Sequence, residues 1–269
     1  MPVRIPISST RTSDLHGSTL NTSRLLMPEA LEADENMALD EVLIEGHQWV
    51  LRKTTWLSPA VTLGRFQVIA DVAPLLPPIT PLQRGFPGDD GVLPAVRRIT
   101  GGGSIIHGGD LTLAIAGPCP SRPFPHRSPA EVSSLASRAL LSALLPYCPG
   151  LHCRGGEGSE RRQADLADCF LRHAPSDLVI AVAGETQKVG GVALHFRSER
   201  VLLQVSIDRR KISLPEEEEE TVLGALATAL GVGPAETGEV SAMERRQMLR
   251  LAREKYGTRG WNESAQTDN

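Results

Sequence analysis

Apolar residues recur every three or four positions in four stretches of the chain, which is the spacing of a helix with one buried face. The predicted helices cover residues 36–46, 128–146, 216–230 and 241–256. Ser128, Pro129 and Glu131 open the second helix with a capping hydroxyl, a proline in the first turn and a reciprocal glutamate. Consecutive glutamates open the third, at the helix end where negative charge is favourable, so we predict a solvated first turn there.

Segments rich in β-branched and other apolar residues predict strands between these helices. They cover residues 49–52, 56–67, 95–96, 104–106, 111–113, 177–184, 187–194 and 201–207. The last three follow one another closely, as antiparallel strands do. The predicted fold class is therefore α+β, with a mixed, largely antiparallel sheet flanked by helices.

The same pattern predicts one folded domain with an irregular segment at each end. Residues 1–27 are rich in Ser, Thr and Arg and lack periodicity, so we predict an extended leader. Residues 28–257 form the predicted domain, and residues 258–269 a disordered tail. Within the domain, the proline- and glycine-rich residues 71–94 predict a long surface loop that is poorly suited to helix.

Composition and charge limit the classes of protein that remain. The chain has 269 residues, 41% hydrophobic and 22% charged, with a formal net charge of −4, which argues against general nucleic-acid binding. No apolar run is long enough to span a bilayer and the N-terminus lacks a secretory pattern, so we expect a cytoplasmic protein with no membrane partner. We also expect a monomer. Because no secretory signal is present, the cysteines are predicted to be reduced thiols. The spacing of Cys148, His152 and Cys153 is too loose for a zinc site, so no metal is expected.

The most distinctive stretch is residues 97–109, where two arginines lead into three consecutive glycines, then His107 and two more glycines. Glycine triplets lose much conformational freedom on folding, so they are expected where the backbone must approach another group closely. A phosphate-binding P-loop is disfavoured, because no Gly-Lys-Ser/Thr follows and the continuation is β-branched. The glycines alone leave an ordinary turn on a sheet open.

The order of residues in this stretch is more specific than its glycines. Arg97-Arg98-x-Thr100-Gly101-Gly102-Gly103, followed by His107, resembles the signature loop of the lipoate–protein ligase and octanoyltransferase family, whose catalytic domain is related to that of biotin–protein ligases. Residues 36–41 and 56–67 resemble two further landmarks of the same family, so the resemblance spans about residues 30–210. It implies a biotin/lipoyl ligase-like catalytic domain whose loop wraps an eight-carbon acyl chain. The substrate-binding residues that it implies are Arg97, Arg98, Thr100, Gly101, Gly102, Gly103, His107, Gly64, Gln67, Gly190 and Gly191.

The resemblance also implies two catalytic residues. Lys188 stands where the family has a lysine that reaches the acyl carbonyl, or the acyl-adenylate phosphate in ligases, and stabilises negative charge. Cys169 resembles the nucleophile of cysteine-dependent octanoyltransferases, because a thiolate can take an acyl group from a thioester and pass it to an amine. The residues alone leave open a surface lysine and a buried structural cysteine. A lysine at a hairpin end is expected to be solvated, so that truncating Lys188 changes stability by only about half a kcal/mol.

The function that the resemblance implies is octanoyl transfer from an acyl carrier protein to a lysine of a lipoyl-domain or glycine-cleavage H-type carrier, in lipoate biosynthesis and without a cofactor. Two alternatives stay open. One is a lipoate–protein ligase that needs ATP and magnesium, and the other is a non-catalytic paralogue that binds acyl groups or carriers.

Two departures from the family pattern favour the second alternative. Relatives often have His-Asp where this chain has His107-Gly108. They have Gly-Ser-Ala-Gln where it has Gly191-Val192-Ala193-Leu194. The missing serine and glutamine are expected to remove polar groups near the acyl head.

Overall fold

The structure is a computed structural model that describes residues 23–84, 91–155 and 173–264. Its strands are β1 (Ser23–Leu26), β2 (Trp49–Thr54), β3 (Ala60–Leu63), β4 (Ile79–Pro81), β5 (Leu93–Arg97), β6 (Ile105–His107), β7 (Asp110–Pro118), β8 (His152–Cys153), β9 (Leu178–Val182), β10 (Glu185–Arg197), β11 (Arg200–Asp208) and β12 (Ala235–Gly238). Its α-helices are α1 (Ala33–Glu45), α2 (Ile69–Val72), α3 (Pro129–Leu144), α4 (Glu219–Leu230), α5 (Ala242–Leu251) and α6 (Arg259–Ser264).

Eight of these strands form the larger sheet, in the order β12-β1-β2-β7-β11-β10-β9-β8. β1 runs parallel to β2 and to β12, and the other neighbours are antiparallel. The β9–β10 hairpin turns at Ala183 and Gly184, both at positive φ, which suits the twist of a two-residue hairpin loop.

The remaining strands form a smaller sheet in the order β4-β5-β3-β6. β3 runs parallel to β5 and antiparallel to β6. The glycine-rich segment therefore leaves β5 on one side of β3 and returns as β6 on the other. This connection passes over the end of β3, which fixes the loop against the residues that follow Leu63.

Helices cover both faces of the larger sheet. α3 and α4 pack on one face and share a core with apolar residues of β2, β7 and β11, such as Trp49, Ile115 and Leu203. α1 packs on the other face, together with α5 and Trp261 of α6. Among the described helices, none is both long and apolar enough to cross a membrane.

The α+β fold class and the four predicted helices are confirmed. Ser128 caps α3, with its side chain accepting from the Glu131 N–H, and Ser241 and Glu244 form a capping box at α5. The segment 56–67, predicted as strand, contains only the short β3. Its flanks form turns and a single bridge between Leu31 and Trp56.

The predicted irregular segments differ from the structure where they can be compared. β1 belongs to the larger sheet although it falls in the predicted leader, and it is positioned there by pairing with both β2 and β12. α6 falls in the predicted tail, but Trp261 is 3% exposed and its indole N–H donates to the Arg97 carbonyl. Within residues 71–94, β4 pairs with β5. Short elements with one or two buried anchors lack the length needed for a periodic signal.

Candidate functional site

A small cavity lies between the larger sheet and the smaller one. Its apolar lining comes from Met37, Trp56, Ile105, Ala193 and Val205. Its polar lining comes from Thr62, Arg98, His107, Thr112, Gln204 and Ser206. The cavity volume is about 20 Å³, which is room for roughly one water molecule.

Alternate residues of β10, β11 and β7 form the sheet side of this cavity. Ala193 pairs with Gln204, while Gly191 pairs with Ser206, which in turn pairs with Thr112. Residues in register on neighbouring strands share a face of the sheet. Gly191 therefore lies on the cavity face, where it presents bare backbone.

Lys188 lies across that bare backbone. Its Nζ is 2.9 Å from Asp177 Oδ1, and Asp177 leads into β9, the hairpin partner of β10. A Cβ on Gly191 would lie 3.1 Å from Lys188 Cε and 3.2 Å from Asp177 Oδ1. The Lys188 and Asp177 side chains are only 6% and 5% exposed. The expectation of a solvated lysine was wrong, because the preceding hairpin strand brings a carboxylate beside the ammonium.

Arg98 holds the glycine-rich loop in shape. Its guanidinium is buried and donates to the carbonyls of Gly101 at 2.8 Å and Gly103 at 2.7 Å. Its Nε donates to Thr100 Oγ1 at 2.9 Å. One face of the loop is thus closed by an arginine that also lines the cavity, so Arg98 both shapes the loop and faces the space behind it.

The loop is also fixed from the end of β3. A Cβ on Gly64 would lie 2.0 Å from the Gly102 carbonyl oxygen, so only glycine allows this approach. Gln67 Oε1 accepts from the Gly64 N–H at 2.8 Å and from Ser104 Oγ at 3.1 Å. Residues 56–67 and the glycine-rich loop, two separate landmarks of the family resemblance, are therefore in contact. Gly190 is less tightly restricted, since its Cβ would lie 2.3 Å from Ile207 Cδ1, the end of a side chain, and 2.9 Å from the Ser206 carbonyl oxygen.

A buried polar chain connects the loop to α1. Thr100 Oγ1 donates to Gln204 Oε1 at 2.5 Å, and Gln204 Nε2 donates to Asp40 Oδ2 at 2.7 Å. Asp40 is paired with Arg52 at 2.5 Å. Burial raises the pKa of Asp40, and the charge of Arg52 opposes that rise. Thr100 acts here by fixing the loop to the sheet and helix behind it.

Arg97, which the resemblance implies as substrate-binding, has a different position. It is 1% exposed and is not among the residues that line the cavity. Its guanidinium donates to backbone carbonyls of two segments that are distant in sequence, those of Gly64, Arg65, Gln67, Trp261, Asn262 and Glu263. Arg97 therefore fastens α6 to the turn after β3.

His107 forms the wall at the outer end of the cavity. Its Nε2 is 2.8 Å from Thr62 Oγ1, its Nδ1 is 2.9 Å from Asp110 Oδ2, and the Trp56 ring stacks on it at 4.1 Å. Burial raises the pKa of Asp110, but the attraction and hydrogen bond of His107, with further hydrogen bonds from Ser206 and Thr112, lower it overall to about 2. Both ring nitrogens of His107 have hydrogen-bond partners within the protein, so the side chain is better placed to line the cavity than to act as a general base.

Cys169 lies outside the described residues. The three cysteines that are described, Cys119, Cys148 and Cys153, have thiol pKa values that burial raises. A raised pKa leaves less thiolate, which is the reactive form. In the described ranges no group of three or more His, Cys, Asp or Glu side chains is arranged to hold a metal ion.

The departures at residues 192 and 194 lie on the opposite face of the sheet from the cavity. Val192 and Leu194 pack against the core beneath α3 and α4. Ala193, between them, lines the cavity. The sequence predicted that these departures remove polar groups near the acyl head, and the geometry does not bear this out. Gln204 and Ser206 of the next strand supply polar atoms to the cavity.

Sequence reasoning missed Asp177, Gln204, Ser206 and Asp110. Each acts on a partner from another strand or loop, so no local pattern identifies it. Two of them carried a usable signal in the sequence, because Asp110 and Asp177 are acidic residues directly before apolar strand segments, and Asp110 also lies three positions after His107.

Comparison with known proteins is consistent with this geometry. Residues 88–208 match the model of the biotin/lipoate A/B protein ligase family. Among curated proteins no sequence gives a significant match. Solved structures do match: a Thermoplasma acidophilum protein with bound lipoic acid, provisionally a lipoate protein ligase, is 17% identical over 90% of this chain and 100% of its own, with a TM-score of 0.67.

Two other structures give the same result. Lipoate-protein ligase A bound with ATP is 20% identical over 91% of this chain and 100% of its own, with a TM-score of 0.64. The bi-partite lipoate protein ligase of T. acidophilum, described with its E2 lipoyl domain, is 18% identical over 92% and 98%, with a TM-score of 0.59. The family resemblance found in the sequence is thereby confirmed: residues 88–208 match the biotin/lipoate A/B protein ligase family, and nine tenths of the chain has the fold of lipoate–protein ligases.

Proposed function

We propose that this protein transfers a medium-chain acyl group, most simply octanoyl, to a lysine of a lipoyl-type carrier. The observation that carries the proposal is the Lys188 ammonium, fixed by Asp177 across Gly191 on the face of the sheet that lines the cavity. An ammonium held in that place can stabilise the negative charge that develops on an acyl carbonyl. The apolar lining of the cavity, on the same face of the sheet, suits the methylene groups behind such a carbonyl.

The cavity is smaller than the chain that it would have to accept. With room for about one water molecule, it cannot hold eight carbons until the lining moves. Ile105 lies in the smaller sheet and Trp56 lies in the segment that leads into it. Displacement of these two side chains would widen the cavity without breaking the larger sheet. Binding of an acyl chain is accordingly expected to be coupled to a local rearrangement of the smaller sheet.

The donor that we propose is the thioester of an acyl carrier protein, with Cys169 as nucleophile. The Cys169 thiolate attacks the thioester carbonyl, the new C–S bond forms and the carrier leaves as its thiolate, which takes a proton from solvent. The neutral amine of the acceptor lysine then attacks the enzyme thioester, the amide bond forms as the C–S bond to Cys169 breaks, the Cys169 thiolate is released and the amine proton passes to solvent. This route needs neither ATP nor magnesium. It rests on the resemblance around Asp168-Cys169-Phe170, and the raised pKa values of the described thiols make those cysteines poor substitutes.

A lipoate–protein ligase is the second candidate, and a specific observation favours it. The chain covers the whole of a lipoate-protein ligase A structure that contains ATP. In that case Lys188 would stabilise the phosphate of an acyl-adenylate, and free lipoate or octanoate would replace the thioester donor. The acceptor is the same in both candidates, and a ligase described with an E2 lipoyl domain supports a lipoyl carrier in that role.

The experiment is intact-mass analysis of the purified chain with octanoyl-carrier protein, with nucleotide omitted and the acceptor withheld. The proposal predicts one added octanoyl group, labile to hydroxylamine and mapped to the peptide of Cys169, which disappears when a lipoyl domain is added. Cys169→Ser should lose the adduct, while Cys148→Ser and Cys153→Ser should keep it. Acylation of the lipoyl domain only from free acid with ATP and magnesium would move the protein to the ligase candidate. Acylation under neither condition would indicate a non-catalytic paralogue.

A further inference from the structure

A groove of about 440 Å³ opens where β7 begins and β11 ends. Its walls are lined by Pro59, Ile106, His107, Gly108, Gly109, Asp110, Asp208 and Arg210. This volume is within the range of small-ligand sites. His107 lines both this groove and the cavity between the sheets, so one side chain separates the two spaces.

The groove has apolar sides and a turn without side chains. Pro59 and Ile106 supply apolar surface, and Ile106 is 46% exposed although it is a large hydrophobic residue. Gly108 has a φ of +124°, which L side chains rarely adopt, and a Cβ there would lie against Pro59 at 3.4 Å. A Cβ on Gly109 would meet nothing within 4 Å. The glycine that replaces the family's acidic residue therefore keeps the groove open.

Asp110 has an unsatisfied oxygen. Its Oδ2 accepts hydrogen bonds from Thr112 and Ser206 and is paired with His107. Its Oδ1 is buried and accepts no hydrogen bond, although the side chain is only 6% exposed. Native structures rarely leave such an oxygen unpaired, so a hydrogen-bond donor is its expected partner.

The other charges around the groove are already paired. Arg210 donates to both carboxylate oxygens of Asp208, at 2.9 and 3.0 Å. Lys211 Nζ lies 3.5 Å from Asp208 Oδ2 and donates to the Lys188 carbonyl. Asp110 is thus the carboxylate of this groove that still lacks a cation on one of its oxygens.

We propose that this groove receives the lysine side chain of the acceptor carrier. The ammonium would contact Asp110 Oδ1, and the four methylenes would lie between Pro59 and Ile106. A primary ammonium on an apolar stem matches a slot with apolar walls and one unsatisfied carboxylate oxygen. The inference rests on the proposed function, because it names the binding place of that function's acceptor.

The position of the groove relative to Lys188 is suitable. Asp110 pairs with Asp208 at the end of β11, and Ser206, two residues earlier, pairs with Gly191, beneath Lys188. Strands lie about 4.8 Å apart, so β7 and β10 are separated by about 10 Å. An ammonium at Asp110 therefore lies on the same face of the sheet as Gly191, about two strand spacings from it.

The test compares binding of a purified lipoyl domain with that of the same domain carrying Met in place of its acceptor lysine, by calorimetry without any acyl donor. The wild-type protein should prefer the lysine form by about tenfold. Asp110→Asn removes the charge and should abolish that preference. Gly109→Val fills the groove while leaving the carboxylate and His107 in place, and should abolish it as well. Asp71→Asn, which removes an exposed carboxylate of α2, is the control and should keep the preference.

A lysine preference that survives in both Asp110→Asn and Gly109→Val would overturn the inference, as would equal binding of the two carriers by the wild-type protein. The donor half-reaction is measured separately, as formation of the Cys169 adduct or of an acyl-adenylate, and the Asp71→Asn control should leave it unchanged. Failure of that half-reaction in the wild-type protein would count against the proposed function, whereas the carrier comparison would still decide the role of the groove.

Discussion

Replacement of Lys188 by methionine tests whether the lysine acts in chemistry or in folding. The change removes the ammonium but keeps an unbranched side chain of similar length. It leaves the Asp177 carboxylate, 5% exposed, without its partner at 2.9 Å. Breaking a buried ion pair from one side costs about 3–5 kcal/mol. Asp177 retains the Ala174 N–H at 2.7 Å and the Arg154 guanidinium at 3.9 Å, so we expect the lower end, about 3 kcal/mol.

A second change separates that cost from catalysis. Asp177→Asn in the Lys188→Met background removes the stranded charge and should restore about 1–2 kcal/mol, because contacting residues of one ion pair are coupled. Stability is read from urea unfolding at constant m-value. Arg253→Met, at a side chain that is 70% exposed, is the control and should stay within about 0.5 kcal/mol of the wild-type protein.

Activity should not follow stability in this series. Losing one group that stabilises an oxyanion lowers turnover by about 100- to 1,000-fold. The double variant should therefore regain stability and still fail to acylate the carrier. If acyl transfer returns together with stability, Lys188 acts through the fold and the catalytic assignment is wrong. If Lys188→Met unfolds at the wild-type urea concentration, the buried pair does not contribute as its geometry indicates.

Three further changes have expected outcomes. Gly64→Ala places a Cβ 2.0 Å from the Gly102 carbonyl oxygen, and should lower stability by about 1–3 kcal/mol and weaken acyl binding, measured by urea unfolding and by KM for the acyl donor. The pKa of Asp110 is about 2 in the folded chain, so its contribution of about 2 kcal/mol is present above pH 4 and is lost as pH falls towards 2; Asp110→Asn should flatten the stability profile in that window, and an unchanged profile would contradict the assignment. Arg97→Lys cannot reproduce a planar fork that contacts carbonyls of two segments, so it should lower stability by about 2 kcal/mol or more, with KM unchanged in the protein that remains folded.

The fold could be predicted to a large extent because its main elements are long and periodic. α3 carries a capping serine and a continuous apolar face, and β10 and β11 form a long hairpin of alternating pattern. The elements that escaped prediction are short. β1 has four residues and is held by a strand on each side, and α6 depends on one buried tryptophan and on Arg97.

The site could be predicted only where the sequence holds a compact motif. Arg98 and the glycines were found as a unit and act as a unit, since the arginine donates to carbonyls of the same loop. Lys188 was found, but its burial was not, because Asp177 reaches it through strand pairing and not through the local sequence. The five consecutive glutamates at residues 216–220 also show that a local pattern does not reveal partners from other segments. Glu219 is fully buried and paired with Lys53 and Arg209, although a solvated turn was predicted there.

The two departures from the family pattern that favoured a non-catalytic protein lose most of their force in three dimensions. Val192 replaces a polar residue on the face of β10 that packs under the helices, so the cavity side of the strand is still Gly191 and Ala193. Gly108 replaces an acidic residue, but the carboxylate of Asp110, two positions later, lies beside the same histidine and lines the same groove. Asp110 can therefore supply the negative charge that residue 108 lacks. The protein retains a paired lysine on the cavity face and a carboxylate with an unpaired oxygen at the outer wall, and the two proposals above assign these charges to the acyl carbonyl and to the acceptor lysine.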